Sequence, residues 1–187
     1  MDNGASSYRR FLDGDDLGMV ELVRDYKDGL LLYLNSYTND LSIAEDCVQD
    51  TFIKLATKTP KFNERSSFKT WLYAIGRNIV ISHIRKMGKK EVSLDEIENV
   101  KAETDLENNY LIEERKIILY QSIRKLKSDY QKVIVLTYFE DFSVNEICKI
   151  MHKSKKQINN LLYNAKKALK SELEKENFHY EKLWRND

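Results

Sequence analysis

A single proline in 187 residues, with six glycines scattered singly, is the tightest constraint on what this chain can fold into. Sheets need frequent reversals, and reversals draw on Gly and Pro, so a β-sandwich or barrel is disfavoured. Helices joined by short polar connections are expected instead. Charged residues make up 33% and hydrophobic residues 42%, a globular and well-charged mix rather than a disordered one. Lys and Arg number 31 against 30 Asp and Glu, so any preference for a charged partner must come from segregation of charge along the chain. No run approaches the ~18 apolar residues of a membrane span, so no membrane insertion is expected. The first ten residues lack the apolar core of a secretory signal. Two distant cysteines, Cys47 and Cys148, do not make a disulfide framework, and a cytoplasmic location fits them.

Composition shifts once. Residues 15–86 are dense in aromatic and aliphatic side chains. Between Gly88 and Glu107 the acidic residues Glu91, Asp95, Glu96, Glu98, Glu103, Asp105 and Glu107 outnumber Lys89, Lys90 and Lys101, and large apolar residues thin out. Helical periodicity returns from Leu111. The expected architecture is all-α: two small helical domains, 1–87 and 111–187, joined by a flexible acidic linker at 88–110. Three segments fit the Ser-x-x-Glu/Gln capping box: Ser42–Glu45, Ser128–Gln131 and Ser143–Glu146. Apolar residues recur at helical spacing after each: Ala44, Cys47, Val48 and Leu55; Tyr130, Val133, Ile134 and Tyr138; Val144, Ile147, Cys148 and Met151. Met19 to Tyr37 reads as one long helix, and Pro60 places a loop before the stripe Phe68, Trp71, Leu72, Ile75 and Ile79.

Signals for catalysis are weak. His83, His152 and His179 stand alone, without a metal-binding or redox motif, and no glycine-rich phosphate loop is present. Asp46 and Asp50 lie one helical turn apart, yet no third ligand follows, so a solvated acidic face is expected rather than a metal site. No catalytic residue, metal or cofactor is expected. Both cysteines lie on apolar stripes and read as buried structural thiols.

The C-terminal half carries a sharper signal. A short capped helix, Ser143 to Met151, is followed by His152-Lys153, and Ser154 can cap a second helix from Lys155 to about Leu173. Two such helices across a short turn make a helix-turn-helix. Ile147 and Ile158 supply its apolar clamp, Cys148 is small enough for the crossing, and His152 tolerates positive φ. The second helix carries Lys155, Lys156, Gln157, Asn159, Asn160, Tyr163, Lys166, Lys167 and Lys170. Amides and lysines near a helix N-terminus suit base edges and phosphates in a major groove. From Ser143 to Lys175, eight lysines face three glutamates, a local excess of five positive charges.

A second surface follows Pro60. The loop Lys61 to Ser67 is polar apart from Phe62, and Lys69, Tyr73 and Arg77 lie four residues apart on the next helix, away from the stripe of Phe68, Trp71, Leu72 and Ile75. Interleaved basic and aromatic side chains suit single-stranded nucleic acid, where bases stack and phosphates pair. For Tyr73 and Arg77 an ordinary surface or core role is nearly as good a reading.

Taken together, Ala44-Glu45-Asp46-Cys47-Val48-Gln49-Asp50-Thr51-Phe52 and Phe68-Lys69-Thr70-Trp71-Leu72-Tyr73-Ala74-Ile75-Gly76-Arg77-Asn78 resemble region 2 of the sigma-70 family, and Leu126 to Leu173 resembles region 4. The likeness is to the small extracytoplasmic-function group, sigma subunits of bacterial RNA polymerase. It implies that Asp46, Gln49, Asp50 and Lys54 dock on the clamp helices of the polymerase's largest subunit. It implies that Phe62, Asn63, Ser66, Ser67, Lys69, Tyr73, Arg77 and Asn78 open the promoter and hold the minus-ten strand. It implies that Ser154, Lys155, Lys156, Gln157, Asn159, Asn160, Tyr163, Lys166 and Lys167 meet the minus-35 duplex. The implied partners are core RNA polymerase, including the flap of its second-largest subunit, promoter DNA and an anti-sigma factor. The acidic linker would occupy a nucleic-acid channel of the polymerase. The family often has arginine where Leu161 and Asn164 stand and an aliphatic residue at Lys153, so this chain would rely on lysine and amides, without arginine's bidentate fork to guanine. Two other classes remain: a helix-turn-helix regulator with a helical sensing domain, and a helical adaptor that does not touch DNA.

Overall fold

The computed structural model describes residues 3–87 and 107–175, with residues 107–115 as backbone only. The described residues form helices α1 (Asn3–Leu12), α2 (Leu17–Thr38), α3 (Leu41–Lys58), α4 (Phe68–Met87), α5 (Glu107–Arg124), α6 (Ser128–Ile134), α7 (Val144–Met151) and α8 (Lys155–Lys175), with a π-helical turn, Val135–Phe139, continuing α6. No strand is present among them. The linker expected at 88–110 lies outside the described residues, except for 107–110, which begin α5.

Helix boundaries follow local chemistry, though not always the residues the spacing suggested. Ser143 and Glu146 form the expected reciprocal capping box of α7. Ser154 likewise accepts from the Gln157 N–H while the Gln157 side chain accepts from the Ser154 N–H. The other two boxes are corrected. At α3 the cap is Asp40, two residues earlier, whose carboxylate accepts from the Ile43 N–H at 3.1 Å. At α6, Ser128 turns outward to donate to the Ser36 carbonyl at 2.9 Å, and the Gln131 amide instead donates to the Arg124 and Leu126 carbonyls. A tertiary partner has outbid the local cap in that case. Left-handed residues close three helices: Asn39 after α2, Thr59 after α3 and His152 after α7.

The N-terminal module packs Leu22, Leu30, Tyr33 and Leu34 of α2 against Ala44, Cys47, Val48 and Leu55 of α3 and Phe68, Leu72 and Val80 of α4, all buried. Each large side chain so buried contributes about 1.5–3 kcal/mol. Helix α1 closes this bundle: Tyr8 lies against Phe68 and Trp71 and donates to the Pro60 carbonyl at 2.9 Å. In the C-terminal module, Val133, Ile134 and Leu136 meet Ile147, Ile150 and Met151 of α7 and Ile158, Ala165, Leu169 and Leu173 of α8, all of them buried. The π turn inserts one residue into the α period. It buries Val135 and Leu136 and rotates Tyr138 outward, so Tyr138 leaves the stripe that spacing assigned it. The two modules are not separate beads: α7 lies on α4, and α6 with the π turn lies along α2.

Candidate polymerase and nucleic-acid surfaces

Helix α3 presents a clean division. Cys47, Val48, Thr51, Phe52 and Leu55 face inward, while Asp46, Gln49, Asp50 and Lys54 are exposed. Ile53 stands among them with 55% of its surface open to solvent. Sequence reasoning missed Ile53; the available signal was an aliphatic residue off the apolar stripe. Two carboxylates beside an exposed aliphatic side chain make a surface that can meet basic and apolar groups of a partner. No cluster of metal-ligating side chains occurs among the described residues. Burial, with help from the negative charges of Asp50 and Asp46, raises the Cys47 thiol to about 11, in keeping with an inert structural cysteine.

The loop between α3 and α4 is held from three sides. Phe62 packs edge-on against Phe68 at 5.6 Å and beside Trp71 at 5.1 Å. Asn63 turns back to accept from the Arg65 N–H, and Glu64, at φ 57°, pairs with Arg9 of α1 at 2.7 Å. Ser66 is half-buried, and Ser67 caps α4 by accepting from the Thr70 N–H. Asn63 remains open to solvent at the tip.

On α4 itself, Lys69, Tyr73 and Arg77 do share a face, but that face is largely covered. Tyr73 is 0% exposed, stacked on Tyr33 at 5.6 Å and edge-on to Phe142 at 5.0 Å. Its hydroxyl donates to the Glu140 carboxylate at 2.6 Å. Burial first, then the Glu140 charge and hydrogen bond, push the Tyr73 hydroxyl far above its ordinary range. Lys69 pairs with the same carboxylate at 2.9 Å, donates to the Glu140 carbonyl at 2.8 Å and sits 4.9 Å from the centre of the Phe142 ring. One turn away, the Glu146 carboxylate accepts from Ser67 and Thr70 at 3.1 and 3.0 Å. Burial opposes the charge on Glu146, but hydrogen bonds from Ser143, Thr70 and Ser67 outweigh it and hold the carboxyl below its ordinary value. Lys149 adds a bond to the Arg65 carbonyl. Arg77 is half-buried and Asn78 exposed, the two in a long 3.4 Å contact.

Helix α8 presents the third surface. Lys155, Lys156, Gln157, Asn159, Asn160 and Lys167 are exposed, and Tyr163 is 70% exposed. Ile147 of α7 and Ile158 of α8 are both buried, and His152 at φ 53° makes the turn between the two helices. Gln157 is engaged in the cap, so its amide carbonyl is occupied in this state. Lys166 lies over the Tyr138 ring at 5.7 Å. Lys153, which stands where the family resembled usually has an aliphatic residue, pairs with Asp129 at 3.2 Å across the module. The arrangement is a helix-turn-helix with an open, basic, amide-bearing second helix.

Comparison with known proteins gives a consistent picture. The family profile Sigma-70 region 2 matches residues 22–90, and Sigma-70, region 4 matches residues 116–169. RNA polymerase sigma factor YlaC of Bacillus subtilis (strain 168) is 33% identical over 158 residues, 83% of this chain and 91% of that one. ECF RNA polymerase sigma factor SigW of the same organism is 27% identical over 171 residues, covering 86% and 91%. Among solved structures, the sigma factor RpoE in complex with the anti-sigma factor NepR from Bartonella quintana shares the fold at a TM-score of 0.65 and 22% identity, covering 88% of this chain and 98% of that one. CnrH in complex with the cytosolic domain of CnrY does so at 0.61 and 20%, covering 92% and 96%. No helix among the described residues is long and apolar enough to cross a membrane.

Proposed function

From the fact that this chain belongs to the sigma-70 family, as an extracytoplasmic-function member acting in promoter-specific initiation by RNA polymerase, we propose a division of labour among its three surfaces. Helix α3 docks core polymerase on the clamp helices of the largest subunit through Asp46, Gln49, Asp50 and Lys54, with Ile53 as the apolar centre of the contact. The loop residues Phe62, Asn63, Ser66 and Ser67, with Lys69, Tyr73, Arg77 and Asn78 of α4, hold the opened minus-ten strand. The start of α8 (Ser154, Lys155, Lys156, Gln157, Asn159, Asn160 and Tyr163) lies in the minus-35 major groove, while Lys166 and Lys167 reach phosphates. The protein contributes specificity to the polymerase rather than chemistry of its own, and works in the cytoplasm. The two domains divide at residues 87 and 111, the linker enters a channel of the enzyme, and the second-largest subunit's flap and an anti-sigma factor complete the partners.

The observation that carries this reading is the exposed, doubly capped N-terminus of α8 on a helix-turn-helix, with lysines and amides and no acidic residue in its first turn. That favours DNA contact over an adaptor role, and the family membership sets aside a ligand-sensing repressor. The test combines co-purification with core polymerase and transcription from a library of upstream elements. Asp46→Arg with Asp50→Arg should abolish co-purification at unchanged helicity. Asn160→Ala should flatten discrimination at one upstream position by about 1–3 kcal/mol, whereas Lys167→Ala should weaken all sequences alike. Retained polymerase binding by the first variant, or unchanged discrimination by the second, overturns the corresponding assignment.

A further inference from the structure

The surface assigned above to the minus-ten strand is occupied by the chain's own C-terminal module, and the occupant has a distinct chemistry. After the π turn, the left-handed residue Asp141 reverses the backbone, and Glu140 and Phe142 project together onto α4. Glu140 sets a carboxylate on Lys69 and Tyr73, where an anionic group is drawn to a cation and a hydroxyl donor. Its side chain is 10% exposed. Phe142, itself buried, sets an aromatic ring edge-on to Tyr73 and under the Lys69 ammonium. A carboxylate on the lysine and an aromatic ring edge-on against the tyrosine take the places of the phosphate and the base that single-stranded nucleic acid would bring to such a platform, although the ring is not stacked as a base would be. The seat is built for this occupant. Gly29 of α2 leaves the space that holds it, for a Cβ there would collide with the Glu140 carboxylate and the Tyr73 hydroxyl. Glu146 extends the acidic row onto Ser67 and Thr70 at the loop. Meanwhile Asp46, Gln49, Asp50, Asn159, Asn160 and Tyr163 stay exposed in the same state.

We propose that the Glu140-Asp141-Phe142 turn is an internal nucleotide mimic, seated in the single-strand site of the N-terminal module and competing with DNA for it. The proposal rests on the reading that Lys69 and Tyr73 belong to that site. In the docked state the chain offers its α3 and α8 surfaces to polymerase and to duplex, but withholds the strand-holding surface until the turn is displaced. Apparent strand affinity is lowered by the fraction of molecules in which the site is open.

The experiment uses the full chain and two probes: a fluorescein-labelled, random-sequence single-stranded oligonucleotide, and a labelled peptide of residues 137–146. Glu140→Ala should bind the strand at least about tenfold more tightly than wild type, as expected when a masking equilibrium is relieved. Glu140→Gln should fall between them and serves if Glu140→Ala loses helicity. Asp141→Asn changes the net charge equally on an exposed side chain and tolerates positive φ, so it should bind like wild type. The peptide should bind Glu140→Ala, compete with the strand, and lose binding when Lys69→Ala is added. Equal strand affinity in wild type and both Glu140 variants overturns the mimic while leaving the single-strand reading intact. Equal gains from Glu140→Ala and Asp141→Asn reduce the effect to net charge and also overturn it. Strand binding by Glu140→Ala that Lys69→Ala does not weaken removes Lys69 from the strand site, and the mimicry with it.

Discussion

Gly29→Ala is the most informative single substitution, because its intrinsic and tertiary effects have opposite signs. In the interior of the 22-residue helix α2, alanine should stabilise by about 0.5–1 kcal/mol relative to glycine. Here the new methyl group meets the Glu140 carboxylate and the Tyr73 hydroxyl. A carboxylate at the end of a side chain can normally move aside. This one is held by Tyr73 at 2.6 Å and Lys69 at 2.9 Å, and has little solvent to move into. Losing one charge-assisted hydrogen bond at a buried tyrosine costs about 1.5–3 kcal/mol. Set against the helix gain, the net destabilisation of the docked chain should be about 0.5–2.5 kcal/mol. Urea unfolding at neutral pH, followed by circular dichroism, measures it as a lowered midpoint. The modules should also separate, seen as a larger radius of gyration in small-angle scattering under native conditions. A midpoint equal to or above that of wild type would show that the carboxylate relaxes freely and that the clasp holds little of the docking energy.

Three further outcomes follow from particular residues. Asp40→Ala should cost about 0.5–2 kcal/mol as the loss of a helix cap, while Ser42→Ala should cost a few tenths at most; equal losses in urea unfolding would restore Ser42 as the cap. Because Glu146 is held below the ordinary carboxyl value of 4.5, the stability it contributes is complete above that pH and drains away as pH falls through its lower folded value. Glu146→Gln should therefore flatten the acid limb of stability below pH 4.5, and an unchanged limb would assign acid sensitivity elsewhere. Cys47, buried and with its thiol raised to about 11, should resist iodoacetamide at pH 8 in the native chain and react only on unfolding; rapid native alkylation would contradict that burial.

The helices themselves were legible because their signals are local. One proline, the Ser143–Glu146 box, Ser154 before Lys155 and a histidine able to take positive φ determine where chain direction changes, and each acts within a turn of itself. The helix-turn-helix and the acidic face of α3 were readable for the same reason: side chains three or four residues apart share a face whatever the rest of the molecule does. Local rules failed where a distant partner competed. Ser128 gave up its cap for the Ser36 carbonyl across the module boundary, and the π turn shifted the phase that placed Tyr138 in a stripe.

By itself, then, the order of residues determined an all-helical fold, its two modules, the basic second helix of the helix-turn-helix and the family to which the chain belongs. Only the tertiary structure decided what Lys69 and Tyr73 face. Spacing could put them on one side of α4, but a lysine and a tyrosine on a helix read the same whether the neighbour is water, a DNA strand or Glu140 and Phe142. The choice depends on bonds between residues about 70 positions apart, made possible by a missing side chain at Gly29 and a left-handed turn at Asp141. No periodicity within either module carries that information, because the free energy of docking belongs to the complementarity of two surfaces and to neither surface alone.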